Sequence, residues 1–156
     1  MSAAVDIEAF GGTDPVLSIA EDLFASMVDS EPGTLRPWDG PVPALGREIH
    51  AWVDVHGPAA GRVLLSTEEA TAEDLARALL GLEADDDVSD ADLVDALGEV
   101  ANVVGGNVKA LVVDPHALGL PVVDRTEPRG DVGELLHRLT LDWRGRLLVL
   151  SLWSIR

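Results

Sequence analysis

Within GEVANVVGGNVKAL, residues 98–111, an otherwise apolar helical pattern carries Glu99, Asn102 and Asn107, and Asp95 stands one turn earlier. A polar group taken from water without a partner costs about 1–3 kcal/mol, so these side chains need either a packing reason or a chemical one. Asp95, Glu99 and Asn102 lie at i, i+4 and i+7, which places all three on one side of a helix. Leu93, Leu97, Val100, Val104 and Val108 occupy other angles. The segment thus has a greasy side for a core and a polar strip of two acids and an amide. Gly98, Gly105 and Gly106 each cost a helix about 1 kcal/mol, so close approach of another backbone is a reasonable purpose for them. Spacing alone leaves packing and function both open.

Other constellations fail on their own terms. Asp85, Asp87 and Ser89 alternate as in a calcium loop, but counting from Asp85 the sixth position is Asp90 instead of glycine and the twelfth is Ala96 instead of glutamate. His50, His56, His116 and His137 are scattered, and only the first two share a strand face. With no third ligand near them in sequence, no metal site is expected, and the imidazoles read as surface or half-buried groups. Ser66, Ser151 and Ser154 lack a Gly-x-Ser-x-Gly elbow. Gly105-Gly106-Asn107 follows no strand and carries no Lys-Ser/Thr, so it is not a P-loop.

The 156 residues, 47 % hydrophobic and 25 % charged, suit one globular domain spanning 1–156, with 1–13 flexible. Zero cysteines exclude disulfides, thiol catalysis and cysteine metal sites. A net charge of −17 repels phosphate backbones and anionic lipid, so neither nucleic acid nor membrane is an expected partner. No apolar run reaches the roughly 20 residues of a membrane span, and the acidic start MSAAVDIEAF is unlike a signal peptide. A cytoplasmic protein is expected.

The elements that must position the strip follow from periodicity. Asp14-Pro15 opens a first helix over about 15–29, with Val16, Ile19, Ala20, Leu23, Phe24 and Met27 at helical spacing. Residues 30–46, with four prolines and three glycines, read as a long connection without a regular element, tacked down by Trp38. Alternation in 47–56 predicts a strand, turned by GPAAG into a second at 62–66. Thr71 is the expected cap of the next helix and Ser89 that of a third, running to about Val112. Residues 118–124 read as a short extended piece and 125–131 as loop. Two strands, 134–142 and 146–155, follow around a turn at 143–145. The fold class is α+β, a single domain with a largely antiparallel sheet and its helices on one face.

Glu99, Asn102, Gly106 and Asn107, in the order Glu-x-x-Asn-x-x-x-Gly-Asn, resemble the signature of the CheC, CheX and FliY group of chemotaxis phosphatases, with Asp95 at its acidic lead position. Gly57 and Gly61 around a hairpin turn and Leu-Pro-Val-Val at 120–123 agree, and the single motif makes the chain most similar to a CheX-type domain. The resemblance implies hydrolysis of the aspartyl phosphate on a response-regulator receiver domain. Asn102 would orient the attacking water, and Glu99 would contact the regulator's lysine. Asp95 and Pro121 would help dock the receiver, while Gly106 and Asn107 would shape the helix end. No cofactor of its own is implied, since Mg2+ would reside on the partner. A homodimer paired through an edge strand is also implied, with LLVLSLW at 147–153 as the candidate edge. The alternative is a non-catalytic adaptor that binds a receiver or a flagellar-switch protein. The sequence departs from the family pattern in a Pro121 closer to the asparagine than usual and in the doubled Gly105-Gly106.

Overall fold

The Asp14 carboxylate accepts from the Val16 and Leu17 amides at 3.0 and 3.1 Å, closing two of the orphan donors at the start of α1, Pro15–Leu23. The computed structural model describes residues 14–58, 60–112, 117–128, 130 and 132–155. The expectation for 1–13, and His116 with it, lies outside them. A π-helical turn, Phe24–Val28, ends the first helical segment. There follow β1 (Leu35–Pro37), β2 (Glu48–Val55), β3 (Gly61–Glu68), α2 (Glu69–Leu80), α3 (Asp90–Lys109), β4 (Val122–Asp124), β5 (Val132–Trp143) and β6 (Arg146–Ile155).

The strands form one antiparallel sheet in the order β1-β5-β6-β3-β2-β4, and the α+β reading holds. Period-two alternation sorts each strand between two faces. Ile49, Ala51 and Val53 of β2, Val63 and Leu65 of β3, and Leu148, Leu150 and Leu152 of β6 join the core with the buried sides of the three helices. Burying each valine, leucine and isoleucine among them contributes about 1.5–3 kcal/mol.

Several expectations are corrected. Residues 30–46 do contain a regular element, because β1 pairs with the end of β5 and Trp38 N donates to Thr140 O at 2.9 Å. Thr71 is not a cap. Strand β3 runs straight into α2 with Glu68 in the extended cap position, the Glu69 amide donates to Arg47 O, and Thr71 is buried in the first turn. Helix α3 ends at Lys109 and not near Val112. Strand β6 is no edge: it is paired on both sides, with β5 and β3. Its run LLVLSLW is apolar because it is central. The outermost strands β1 and β4 are three residues each, and β5 is irregular near Leu135, which are devices that blunt edges.

The β5–β6 hairpin closes through Arg144-Gly145, both at positive φ (55° and 82°), as a two-residue turn matched to strand twist demands. Trp143, placed in the turn by the sequence, is instead a buried strand residue set edge-on to Phe24 at 5.9 Å. Its indole Nε1 donates to Asp29 at 3.1 Å, and Asp29 also accepts from Thr34 Oγ1 and Arg144. The Asp29 side chain is fully buried, so its oxygens rely on these donors in place of water. Asp29→Asn is expected to lower stability by about 1–2 kcal/mol, read as a reduced urea midpoint; an unchanged midpoint would show that the donors do not need the charge.

Candidate functional site

Helix α3 starts firmly. Ser89 Oγ accepts from the Asp92 amide at 3.1 Å, and Asp92 returns the bond from the Ser89 amide at 3.2 Å, a reciprocal capping box. Arg125, in the loop after β4, adds an outside brace: its Nε meets Glu69 at 2.6 Å and its Nη2 meets Asp90 at 3.0 Å. Hydrogen bonding to Glu69 first, then to Asp90, raises the guanidinium pKa above its ordinary value. The loop is thereby tied to the beginnings of both α2 and α3.

Nine residues of α3 are buried, including Leu93, Leu97, Val100, Val104 and Val108. Asp95 and Glu99 are exposed and Asn102 is half-buried. The helix therefore presents the expected strip outward, and three residues of α-helical rise separate Glu99 from Asn102 by about 4.5 Å along the axis. Asn107 is exposed, but its Nδ2 donates to Val103 O at 2.8 Å, so this amide serves the helix end.

The glycines divide differently from their order in the motif. A Cβ at Gly105 would stand 2.3 Å from Val53 Cγ1, whereas at Gly106 it would meet only Leu118 Cδ2 at 4.0 Å. Gly105 is thus the residue that lets α3 lie on β2, and Gly106 is not a point of forced approach. Gly98 has a separate job: a Cβ there would touch Pro121 Cγ at 3.6 Å and Val123 Cγ2 at 4.0 Å. Pro121 is exposed and lies beside the helix next to Glu99, so the fold sets Pro121 against the part of α3 that carries Asp95, Glu99 and Asn102, while Asn107 turns to the helix end.

Sequence reasoning missed the apolar flank of this strip. Leu120 is 88 % exposed, Val122 43 % and Val94 49 %. Residues 118–124 read as apolar extended chain, which does not distinguish a buried strand from an exposed ledge. Pairing of Val122 with Trp52 at the sheet margin leaves the preceding Leu120 with no layer above it. The strip and its ledge form an outward helix face instead of a cavity. A cavity of about 530 Å³ lies on the opposite face of the sheet, and Glu99 and Asn102 do not line it. A surface of this shape suits a macromolecular partner that brings its own reactive pocket, not a small substrate that must be enclosed.

The model of chemotaxis phosphatase CheX matches residues 49–130, more than half of the chain. No curated protein matches the chain in sequence. Among solved structures, the chemotaxis protein CheX from Vibrio vulnificus is similar with a TM-score of 0.71 at 16 % identity, covering 99 % of this chain and 99 % of that one. The CheX–CheY–BeF3–Mg2+ complex from Borrelia burgdorferi gives 0.62 at 17 % identity, covering 97 % and 99 %. A CheC-like superfamily protein from Shewanella sp. PV-4 gives 0.62 at 15 % identity, covering 91 % and 96 %. Fold, motif-bearing helix and family match converge, and the chain belongs to the CheX family of chemotaxis phosphatases.

Proposed function

We infer that this protein hydrolyses the aspartyl phosphate of a response-regulator receiver domain, with α3 as the inserted catalytic face. The observation that carries the reading is the outward strip of Asp95, Glu99 and half-buried Asn102 beside an exposed Leu120-Pro121-Val122 ledge. An acyl phosphate already has a good leaving group, so the catalyst needs mainly to place water in line and manage charge. The Asn102 side-chain oxygen accepts a hydrogen from that water and aims its lone pair at phosphorus. The new P–O bond forms as the bond to the regulator's aspartate breaks, releasing inorganic phosphate and a free carboxylate. Glu99 pairs with the regulator's lysine and sets the docking register, with Asp95 and Pro121 flanking it. Gly106 and Asn107 belong to the helix end. Mg2+ resides in the partner's pocket, in keeping with a relative whose complex holds CheY, BeF3 and Mg2+.

Incubation with a phosphorylated receiver and measurement of phosphate release tests this reading. Accelerated decay supports it. Binding without acceleration favours the adaptor, and neither effect with any receiver removes both readings. The same proposal places the protein in the cytoplasm with its substrate; no helix among the described residues is long and apolar enough to cross a membrane. A homodimer is retained in the proposal, with pairing along β5 upstream of its contact with β1 in place of β6. Light scattering at micromolar concentration reads the mass, and a single-chain mass would remove the dimer.

Charge predicts the salt response. A −17 chain approaching the acidic phosphorylation pocket of a receiver is repelled at long range, so screening raises the encounter rate. Association in stopped flow is expected to quicken severalfold from about 20 to 200 mM salt, across which the screening length contracts to about 7 Å. Marked slowing would show that long-range attraction governs docking.

A further inference from the structure

The face of the sheet turned away from the helices carries a second concentration of chemistry. His50 is 1 % exposed, although its place on an alternating strand suggested a surface or half-buried ring. The registers account for it: His50 is opposite Ser66 of β3 and also opposite Asp124 of β4, so the ring is flanked by a strand on each side. Its Nδ1 is 2.7 Å from Ser66 Oγ. With the proton on Nδ1 donating to that oxygen, Nε2 presents a lone pair, the arrangement by which an outer hydrogen bond fixes a metal-binding tautomer.

Two carboxylates face that nitrogen. Glu48, two residues earlier on the same strand face, brings Oε1 to 3.7 Å from Nε2, beyond hydrogen-bond range. It is within the roughly 4.2 Å that two ligands about 2.1 Å from one ion can span. Glu127 enters from the loop after β4, and one ligand atom from each of Glu48, His50 and Glu127 lies within 4.8 Å of the others. Among the described residues neither glutamate has an arginine or lysine partner. Arg62, on the same face, commits Nε and Nη2 to Asp54 at 2.7 and 3.0 Å. Two exposed carboxylates gathered close to one ring nitrogen repel each other, and a bound cation relieves that repulsion.

We propose that Glu48, His50 and Glu127 form a divalent transition-metal site, suited to Zn2+, at the rim of the cavity of about 530 Å³ that Glu48, Ser66 and Glu127 help to line. One nitrogen and two carboxylate oxygens are a donor set for zinc, and three protein ligands leave a coordination position open toward the cavity. Small rotations of the two exposed glutamates close the span to bonding distance, while the buried ring stays fixed. The site is separated by the sheet from Asn102 and does not depend on the phosphatase reading.

Chelator-stripped protein titrated with CoCl2, followed by visible ligand-field absorption and then by Zn2+ competition, tests the proposal without any receiver. One Co2+ per chain is expected, displaced by Zn2+. Glu127→Gln and Glu48→Gln should each weaken it at least tenfold, and Ser66→Ala by about 10-fold through loss of ring orientation. Asn102→Ala should leave it unchanged. Both glutamates are exposed, so their variants keep the fold, and circular dichroism verifies this; His50→Gln is an additional arm. Absence of saturable one-per-chain binding, or binding indifferent to Glu127→Gln, overturns the site and assigns any uptake to the acidic surface.

Discussion

Asn102→Ala is expected to lower the rate of receiver dephosphorylation by about 100-fold or more, equivalent to about 2.7 kcal/mol of transition-state stabilisation. Alanine keeps the helix and removes only the amide that aims the water, so the chemical step suffers while docking survives. The measurement is phosphate release under multiple turnover with the receiver in excess and under single turnover with it in deficit, together with thermal unfolding. A fall in kcat with nearly unchanged KM and melting temperature is the expected pattern. Glu99→Ala should show the opposite split, mainly a raised KM, because the exposed carboxylate acts in docking. Retention of full activity by Asn102→Ala would remove the amide from the mechanism.

Gly105→Ala and Gly106→Ala should move stability in opposite directions. Each replacement gains up to about 1 kcal/mol from helix propensity. At Gly105 the new Cβ would stand 2.3 Å from Val53 Cγ1. Val53 is fully buried and β-branched, with little rotamer freedom to yield. Overpacking of this kind costs about 1–3 kcal/mol and occasionally more, so a net loss results. At Gly106 the nearest atom is Leu118 Cδ2 at 4.0 Å, ordinary contact, and the propensity gain remains. Denaturant midpoints of the two variants read the signs. A stabilised Gly105→Ala would mean that α3 can lift from β2 without cost, contrary to the packing described.

Much of α3 was legible from its own residues. Ser89 as a cap announced its start, and the 3.6-residue period separated the outward strip from the buried side. Clearance by glycine was also foreseeable, but not which glycine: the sequence offered Gly98, Gly105 and Gly106 alike, whereas Val53 comes up beneath Gly105. Thr71 looked like a cap because a local rule favours it, and the direct continuation of β3 into α2 overrode that rule. The run 147–153 looked like an edge because apolar length does not distinguish a central strand from an exposed one.

The α+β class, the outward side of α3 and the resemblance carried by Glu99 and Asn102 were readable before any fold was known, since these rest on neighbours within a few turns of chain. Tertiary structure alone decided the central place of β6, the exposure of Leu120 beside Gly98 and Pro121, and the meeting of His50 with Glu127. Helical faces follow from short-range periodicity, whereas strand order and the return of a distant loop depend on non-local register, for which no single segment carries the code.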